Sequence, residues 1–214
     1  MPPVEMLAMF FCSALLLALA PGPDNLFVLA QAAQHGKRAG LAVTAGLCTG
    51  LIGHTVAVAC GVAALIMGSP VAFEALKYCG AAYLLWLSWL SIRAGAGTNV
   101  RVDASNAAAP PSLPTARLYG RGIIMNITNP KVLVFFLAFL PQFASPQYGA
   151  MAPQIFILGL LFIAATIIIF GIISLLAGSL GEQLKRSWRA QLMLNRLAGT
   201  VFAALAIKLA LLKH

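Results

Sequence analysis

The sequence predicts an all-α integral membrane protein with six transmembrane helices, arranged as two three-helix repeats of inverted topology. Its first and fourth helices are predicted to be broken or kinked. The composition is 61% hydrophobic and only 9% charged, whereas about 25% charged residues are typical of soluble domains. The apolar residues form six stretches of the ~20 residues or more that a bilayer requires. Helix-breaking motifs interrupt the first and the fourth of these stretches.

The six predicted spans follow one another with mostly short connections. They cover residues 4–34, 40–67, 71–93, 118–143, 151–178 and 192–212. The first stretch is too long for one straight span, because at 1.5 Å per residue it would reach ~45 Å. A break at Pro21 and Pro23 removes this excess by dividing or bending the helix. Residues 94–117, rich in Ala, Pro, Ser and Asn, predict a flexible cytoplasmic linker between a first repeat (1–93) and a second (118–214).

Basic residues predict the orientation. If the spans alternate, most of the Lys and Arg residues fall into three connections on one side: Lys37, Arg38; Arg93, Arg101, Arg117, Arg121; Lys185, Arg186, Arg189, Arg196. The positive-inside rule places these connections in the cytoplasm and both termini outside. The net charge of +9 is thereby explained without a nucleic-acid partner, since the chain has no aromatic-interleaved basic face for single strands. Two halves with an odd number of spans each insert in opposite orientations, as inverted repeats do.

Two motifs place a charge and a helix break inside apolar stretches: Pro21-Gly22-Pro23-Asp24-Asn25 and Asn126-Ile127-Thr128-Asn129-Pro130-Lys131. Asp24 lies about ten residues before the cytoplasmic end of span one. Lys131 lies about ten residues after the cytoplasmic start of span four. Ten helical residues correspond to a rise of ~15 Å. This is half of a ~30 Å hydrocarbon core. Both charges are therefore expected near the midplane, where ionisable groups usually serve function.

The chemistry expected of these motifs is the binding of a zwitterion. Proline removes a backbone N–H and frees carbonyl groups, and Pro130 can start a half-helix that Asn129 caps. The positive end of that half-helix, with Lys131, suits a carboxylate. Asp24 suits an ammonium group or a transported proton. The alternative is a kinked helix in which Asp24 and Lys131 form a structural ion pair.

Span two carries further candidates. Gly46, Gly50 and Gly53 share one helix face, which favours close helix packing, and the Gly46/Gly50 part is a candidate surface for a homodimer. His54 lies midway along the span and is a candidate proton relay, since histidine changes its charge near neutral pH. A hydrogen-bonded core histidine is the alternative.

Metal and catalytic chemistry have little support in the sequence. The cysteines Cys12, Cys48, Cys60 and Cys79 form no C-x-x-C pair and are interpreted as small core residues. An alternative function is that of a cation or metal exporter, which would need a cluster of ligands. The spacing of Cys48, His54 and Cys60 places them on different helix faces, which weakens this alternative. The sequence contains neither H-E-x-x-H nor Gly-x-Ser-x-Gly. We therefore predict no enzyme, no cofactor and no metal site.

A set of motifs then stands in order along the chain. They are Pro21-Gly22-Pro23-Asp24-Asn25, Gly46-x-x-x-Gly50-x-x-x-His54, Gly80-Ala81-Ala82-Tyr83-Leu84-Leu85-Trp86-Leu87, Asn129-Pro130-Lys131, Phe139-Leu140-Pro141-Gln142-Phe143 and Asn195-Arg196-Leu197-Ala198-Gly199. In these motifs the chain resembles the lysine exporter (LysE) family, in its homoserine/threonine-resistance (RhtB) branch. The resemblance extends from span one to span six.

The resemblance implies a bacterial inner-membrane exporter of amino acids or their derivatives, driven by the proton-motive force. By motif matching, Asp24 and Lys131 are the expected central residues. Asn25, Asn126 and Asn129 are implied as their polar neighbours. The family often has an acidic residue near the glycine-rich part of span two, and this chain has none there, so Asp24 is the only acidic group expected at depth. The expected partners are an amino acid, protons and the lipid bilayer.

Overall fold

The computed structural model describes residues 1–68, 70–94, 113–186 and 188–211. Within these ranges every regular element is helical, which confirms the all-α class. The helices are α1 (Val4–Leu19), α2 (Pro23–His35), α3 (Lys37–Gly68), α4 (Pro70–Arg93), α5 (Thr115–Thr128), α6 (Pro130–Val134), α7 (Met151–Arg186) and α8 (Trp188–Leu211). After α6 the chain continues as a π-helical segment and two 3₁₀ turns: Phe135–Phe139, Leu140–Phe143 and Pro146–Tyr148. Most of the predicted linker, including Arg101, lies outside the described residues.

Several helices are long and apolar enough to cross a membrane. Among the described residues three helices qualify alone, and up to five spans result if each bent pair of helices counts as one. The three are Lys37–Gly61, Met151–Ala177 and Gln191–Leu211. The bent pairs are α1 with α2, at 61°, and α5 with Pro130–Phe143, at 51°. The protein is therefore a multi-pass membrane protein, whereas the six-span inverted repeat, which needs α4 as a further span, stays a prediction.

Glycine residues bring α3 and α5 into backbone contact. A Cβ atom on Gly46 would meet the carbonyl oxygen of Tyr119, and one on Gly122 would meet the carbonyl oxygen of Val43. Close packing is thus the observed role of this face. The proposed homodimer surface at Gly46 is wrong, because α5 of the same chain already covers it.

The rest of the predicted glycine face divides into two parts. A Cβ atom on Gly50 would lie 2.7 Å from Asn126 Oδ1, so Gly50 makes room for this side chain of α5. A Cβ atom on Gly53 would have nothing within 4 Å. Gly50 therefore faces α5 directly, whereas Gly53 faces open space.

Phenylalanine rings fill the space between α1, the π-helical segment and α7. The ring centroids of Phe135 and Phe139 are 4.7 Å apart. Phe135 and Phe162 are separated by 5.0 Å, and Phe10 and Phe143 by 5.2 Å. Aromatic pairs of this kind contribute about 0.5–1.5 kcal/mol each beyond the area they bury. We call these five residues the aromatic cluster.

The cysteine prediction is wrong for most of the positions. Cys12, Cys60 and Cys79 are exposed on the outside of the helices, and Cys48 is only half-buried. In a membrane protein the outer face is as apolar as the core, because it borders lipid. Hydrophobic pattern alone therefore does not separate the two environments.

Candidate functional site

The first helix break leaves carbonyl groups that a lysine side chain satisfies. Helix α1 ends at Leu19, and α2 begins at Pro23. The carbonyl oxygens of Leu17 and Ala20 accept hydrogen bonds from Lys131 Nζ, at 3.3 and 3.1 Å. Lys131 therefore caps the C-terminal end of α1, where the backbone carbonyls carry partial negative charge.

The second break is capped by an asparagine. Helix α5 ends at Thr128, and Asn129 precedes α6 in an extended conformation. The Oδ1 atom of Asn129 accepts a hydrogen bond of 3.0 Å from the backbone N–H of Lys131. Its Nδ2 atom donates a hydrogen bond of 2.7 Å to Asp24 Oδ2. One side chain therefore caps the second half-helix and holds the carboxylate that follows the first break.

Both charged residues are buried, with 3% of Asp24 and 6% of Lys131 exposed. In the described part of the chain, no Lys131 nitrogen lies within 4.0 Å of an Asp24 carboxylate oxygen. The two charges are thus close to one another without forming the direct ion pair of the structural alternative. Gly22 leaves room for the amine, since a Cβ atom there would lie 3.1 Å from Lys131 Nζ.

A small cavity lies between the two breaks and α7. Its volume is about 10 Å³, which is room for about one water molecule. It is lined by Leu17, Ala18, Asp24, Leu47, Asn126, Lys131, Val132, Phe162, Thr166 and Phe170. The two charges predicted to lie at one depth thus line one space. This volume is too small for a whole amino acid, and we call the conformation closed in that sense.

Three of the residues that line the cavity have an oxygen atom without a hydrogen-bond partner among the described residues. These atoms are Asp24 Oδ1, Asn126 Oδ1 and Thr166 Oγ1. An unsatisfied buried polar atom costs about 1–3 kcal/mol. Buried groups of this kind are rare in native proteins and call for an explanation, such as a water or ion. Thr166 was not identified from the sequence, because a single hydroxyl in an apolar helix is common and carries no distinguishing signal.

Two other predicted site residues lie outside the cavity wall. Asn25 donates a hydrogen bond of 2.7 Å from Nδ2 to the carbonyl oxygen of Ala18. His54 lies with Nε2 3.3 Å from the carbonyl oxygen of Asn126, and its ring packs at 5.5 Å from that of Phe136. Each contacts the backbone near a helix break. Among the described residues, no three or more His, Cys, Asp or Glu side chains are grouped to hold a metal ion.

Comparisons with known proteins match almost the whole chain. The family model described as LysE type translocator matches residues 15–213. A homoserine/homoserine lactone efflux protein of Salmonella typhi is 34% identical over 205 residues, 96% of each chain. A leucine efflux protein of Klebsiella pneumoniae subsp. pneumoniae is 29% identical over 204 residues, 95% of this chain and 94% of the relative. No solved structure matches. The family match includes both helix breaks and all residues that line the cavity.

Proposed function

Because the chain belongs to the LysE type translocator family, we propose that it is a secondary active exporter of amino acids or amino acid derivatives, driven by proton antiport. The observation that carries this proposal is the cavity between the two helix breaks, which Asp24 and Lys131 both line. Relatives named for efflux of homoserine, homoserine lactone and leucine support the substrate class. The protein is a transporter, and no catalytic step is part of the proposal.

In this proposal Asp24 couples the substrate to the proton. Its carboxylate binds the ammonium group of the substrate, and protonation on the outer side releases that group. Lys131 binds the carboxylate of the substrate after giving up the two carbonyl groups of α1. Asn129 supports both roles, since it bonds Asp24 Oδ2 and the backbone N–H of Lys131.

Alternating access requires the closed cavity to open to each side in turn. The chain supplies two helix breaks at the same site, at Pro21 and Pro23, where α2 begins, and at Pro130, where α6 begins. We propose that two inverted three-helix halves rock about these points, as in other transporters with broken helices. The aromatic cluster adjoins the cavity through Phe162, and it closes the site on that side.

The remaining assignments complete the proposal. Asn25 holds the backbone at the first break, and Asn126 lines the cavity with its side chain. His54 either relays protons or positions the carbonyl group of Asn126. The protein resides in the bacterial inner membrane with both termini outside. A homodimer would need a face other than the one at Gly46 that packs against α5.

Efflux from loaded cells tests this function. Cells that express the chain and cells with an empty vector are loaded with homoserine, leucine, threonine or lysine, one at a time, with and without an uncoupler. We expect faster efflux of at least one amino acid from the expressing cells, and loss of this difference with the uncoupler. Efflux that persists in the uncoupler would contradict proton antiport, and efflux equal to the empty vector for all four would contradict amino acid export.

A further inference from the structure

Helix α7 forms the third wall of the cavity, although no motif in the sequence marks it. Phe162, Thr166 and Phe170 all line the cavity, and their spacing of four residues places them on one face of the helix. The two helix breaks belong to α1–α2 and α5–α6. The site is therefore completed by a helix that carries no break.

The hydroxyl group of Thr166 behaves differently from those of comparable threonines. Thr44 donates to the carbonyl oxygen of Gly40 at 2.9 Å, and Thr55 donates to that of Leu51 at 2.7 Å. This bond to the preceding turn is the usual way in which a buried hydroxyl is satisfied inside a helix. Thr166 is only 2% exposed, yet its Oγ1 atom has no partner among the described residues.

The oxygens left unpartnered around the cavity match the donors of one chemical group. They are Asp24 Oδ1, Asn126 Oδ1 and Thr166 Oγ1. A primary ammonium group has three N–H donors and no acceptor. The cavity, at about 10 Å³, has room for a group the size of a water molecule. An ammonium group is of that size, and its three donors equal these three oxygens in number.

We propose that Asp24, Asn126 and Thr166 form a subsite for the primary ammonium group of the exported substrate. The proposal rests on the proposed export function and adds Thr166 as a residue that contacts the substrate. Asp24 supplies the charge, and the two neutral oxygens select for a group with three donors. Substrates whose nitrogen is dimethylated or acylated are therefore excluded, because they leave one or more of these oxygens unpaired.

The test compares Thr166→Val, Thr166→Ser and the control Thr44→Val in the same efflux assay. The probe is the amino acid that gives the largest uncoupler-sensitive efflux in the wild-type chain. Valine keeps the shape of threonine and removes its hydroxyl. We expect Thr166→Val to raise the KM for efflux about ten- to hundredfold, the usual effect of losing a hydrogen bond to a charged group. Thr166→Ser and Thr44→Val keep a KM near that of the wild type.

Competition by substrate derivatives gives a second measurement on the unmodified chain. The N,N-dimethyl and N-acetyl derivatives of the same amino acid are added in the cytoplasm-facing medium of inverted vesicles. In such vesicles the exporter moves its substrate into the lumen. We expect neither derivative to inhibit this uptake at concentrations where the unlabelled parent amino acid does. Inhibition equal to that of the parent would overturn the subsite, even if Thr166→Val fails to insert.

The outcomes separate the subsite from the export function. A wild-type chain that exports an amino acid while Thr166→Val keeps an unchanged KM would overturn the subsite and leave the function standing. A loss of maximal rate without a change in KM, not rescued by Thr166→Ser, would assign Thr166 a structural role and also overturn it. A wild-type chain that exports no amino acid would overturn both proposals.

Discussion

The side-chain amide of Asn129 donates a hydrogen bond of 2.7 Å to the carboxylate of Asp24, across 105 residues of sequence. The other end of the same amide caps α6. Each helix break thus depends on the other, because the donor that orients Asp24 belongs to the residue that starts the second half-helix. Five predictions follow from this arrangement and from the packing around it.

Substitutions of Asn129 test its two hydrogen bonds, the one that caps α6 and the one to Asp24. Asn129→Ala removes both, and we expect it to lower the midpoint of thermal unfolding in detergent and to reduce efflux. Loss of the cap alone costs about 0.5–2 kcal/mol. Asn129→Asp retains a cap but places a second buried carboxylate beside Asp24, so we expect it to lower both efflux and the unfolding midpoint. An Asn129→Ala protein with the unfolding midpoint and efflux of the wild type would disprove this role.

Asp24→Asn removes the carboxyl group that is protonated and deprotonated in the proposed transport cycle. We expect this variant to insert normally and to lose proton-coupled efflux, because an amide neither binds nor releases a proton in the transport cycle. The control is Glu5→Gln, in the exposed first turn of α1, which should export like the wild type. Uncoupler-sensitive efflux at the wild-type rate from Asp24→Asn would refute the coupling role.

Lys131→Met leaves the carbonyl groups of Leu17 and Ala20 without their donor and leaves Asp24 without a nearby cation. We expect a lower unfolding midpoint, since each unsatisfied buried group costs about 1–3 kcal/mol. The double variant Asp24→Asn/Lys131→Met should unfold at a higher temperature than Lys131→Met alone, because it removes the uncompensated charge. Additive effects of the two changes would show that the charges do not interact.

Gly46→Ala tests the contact of α3 with α5. The added Cβ atom would collide with the carbonyl oxygen of Tyr119, which belongs to a backbone that cannot easily move away. We expect a reduced yield of monodisperse protein and a lower unfolding midpoint. The matched control is Gly53→Ala, seven residues along the same helix, where a Cβ atom meets nothing within 4 Å. This control should be neutral or stabilising by about 1 kcal/mol, since Ala favours helix over Gly. Equal effects of the two changes would contradict close packing at Gly46.

The number of spans determines where the C-terminus lies. With six spans and basic connections in the cytoplasm, both termini lie outside. Alkaline phosphatase fused after His214 should therefore be active, and the same enzyme inserted in the linker should be inactive. A protein with five spans would place its termini on opposite sides, so active fusions at only one terminus would reject the inverted repeat.

The helix breaks and the proximity of the two charges were predictable from the sequence. Proline restricts its own backbone covalently, so the bends at Pro23 and Pro130 follow from local chemistry. Charged residues are rare enough in apolar stretches that counting from the loops places Asp24 and Lys131 near each other. These signals do not depend on which face of a helix meets its neighbours.

The contribution of α7 to the cavity and the exposure of the cysteines were not predictable from the sequence. Both depend on which face of an apolar helix turns inward. Apolar side chains are equally favourable next to lipid and in the protein core, so the sequence does not mark that face. Thr166 and Cys60 therefore look alike in sequence, although one lines the cavity and the other is exposed. The partner of Lys131 was missed for another reason. Backbone carbonyls carry no sequence signature, so only the structure reveals that its amine bonds Leu17 and Ala20.

The small volume of the cavity determines how the proposed exporter responds to concentration. A substrate cannot bind the closed form, so its apparent Kd equals the intrinsic Kd divided by the fraction of protein that has opened. Opening to the cytoplasm must also break the bonds from Lys131 to α1 if that amine is to meet the substrate. The proposed exporter would then need a higher substrate concentration than the intrinsic Kd alone implies. The substrate concentration at which efflux becomes half-maximal would rise with the stability of the closed state relative to the open one.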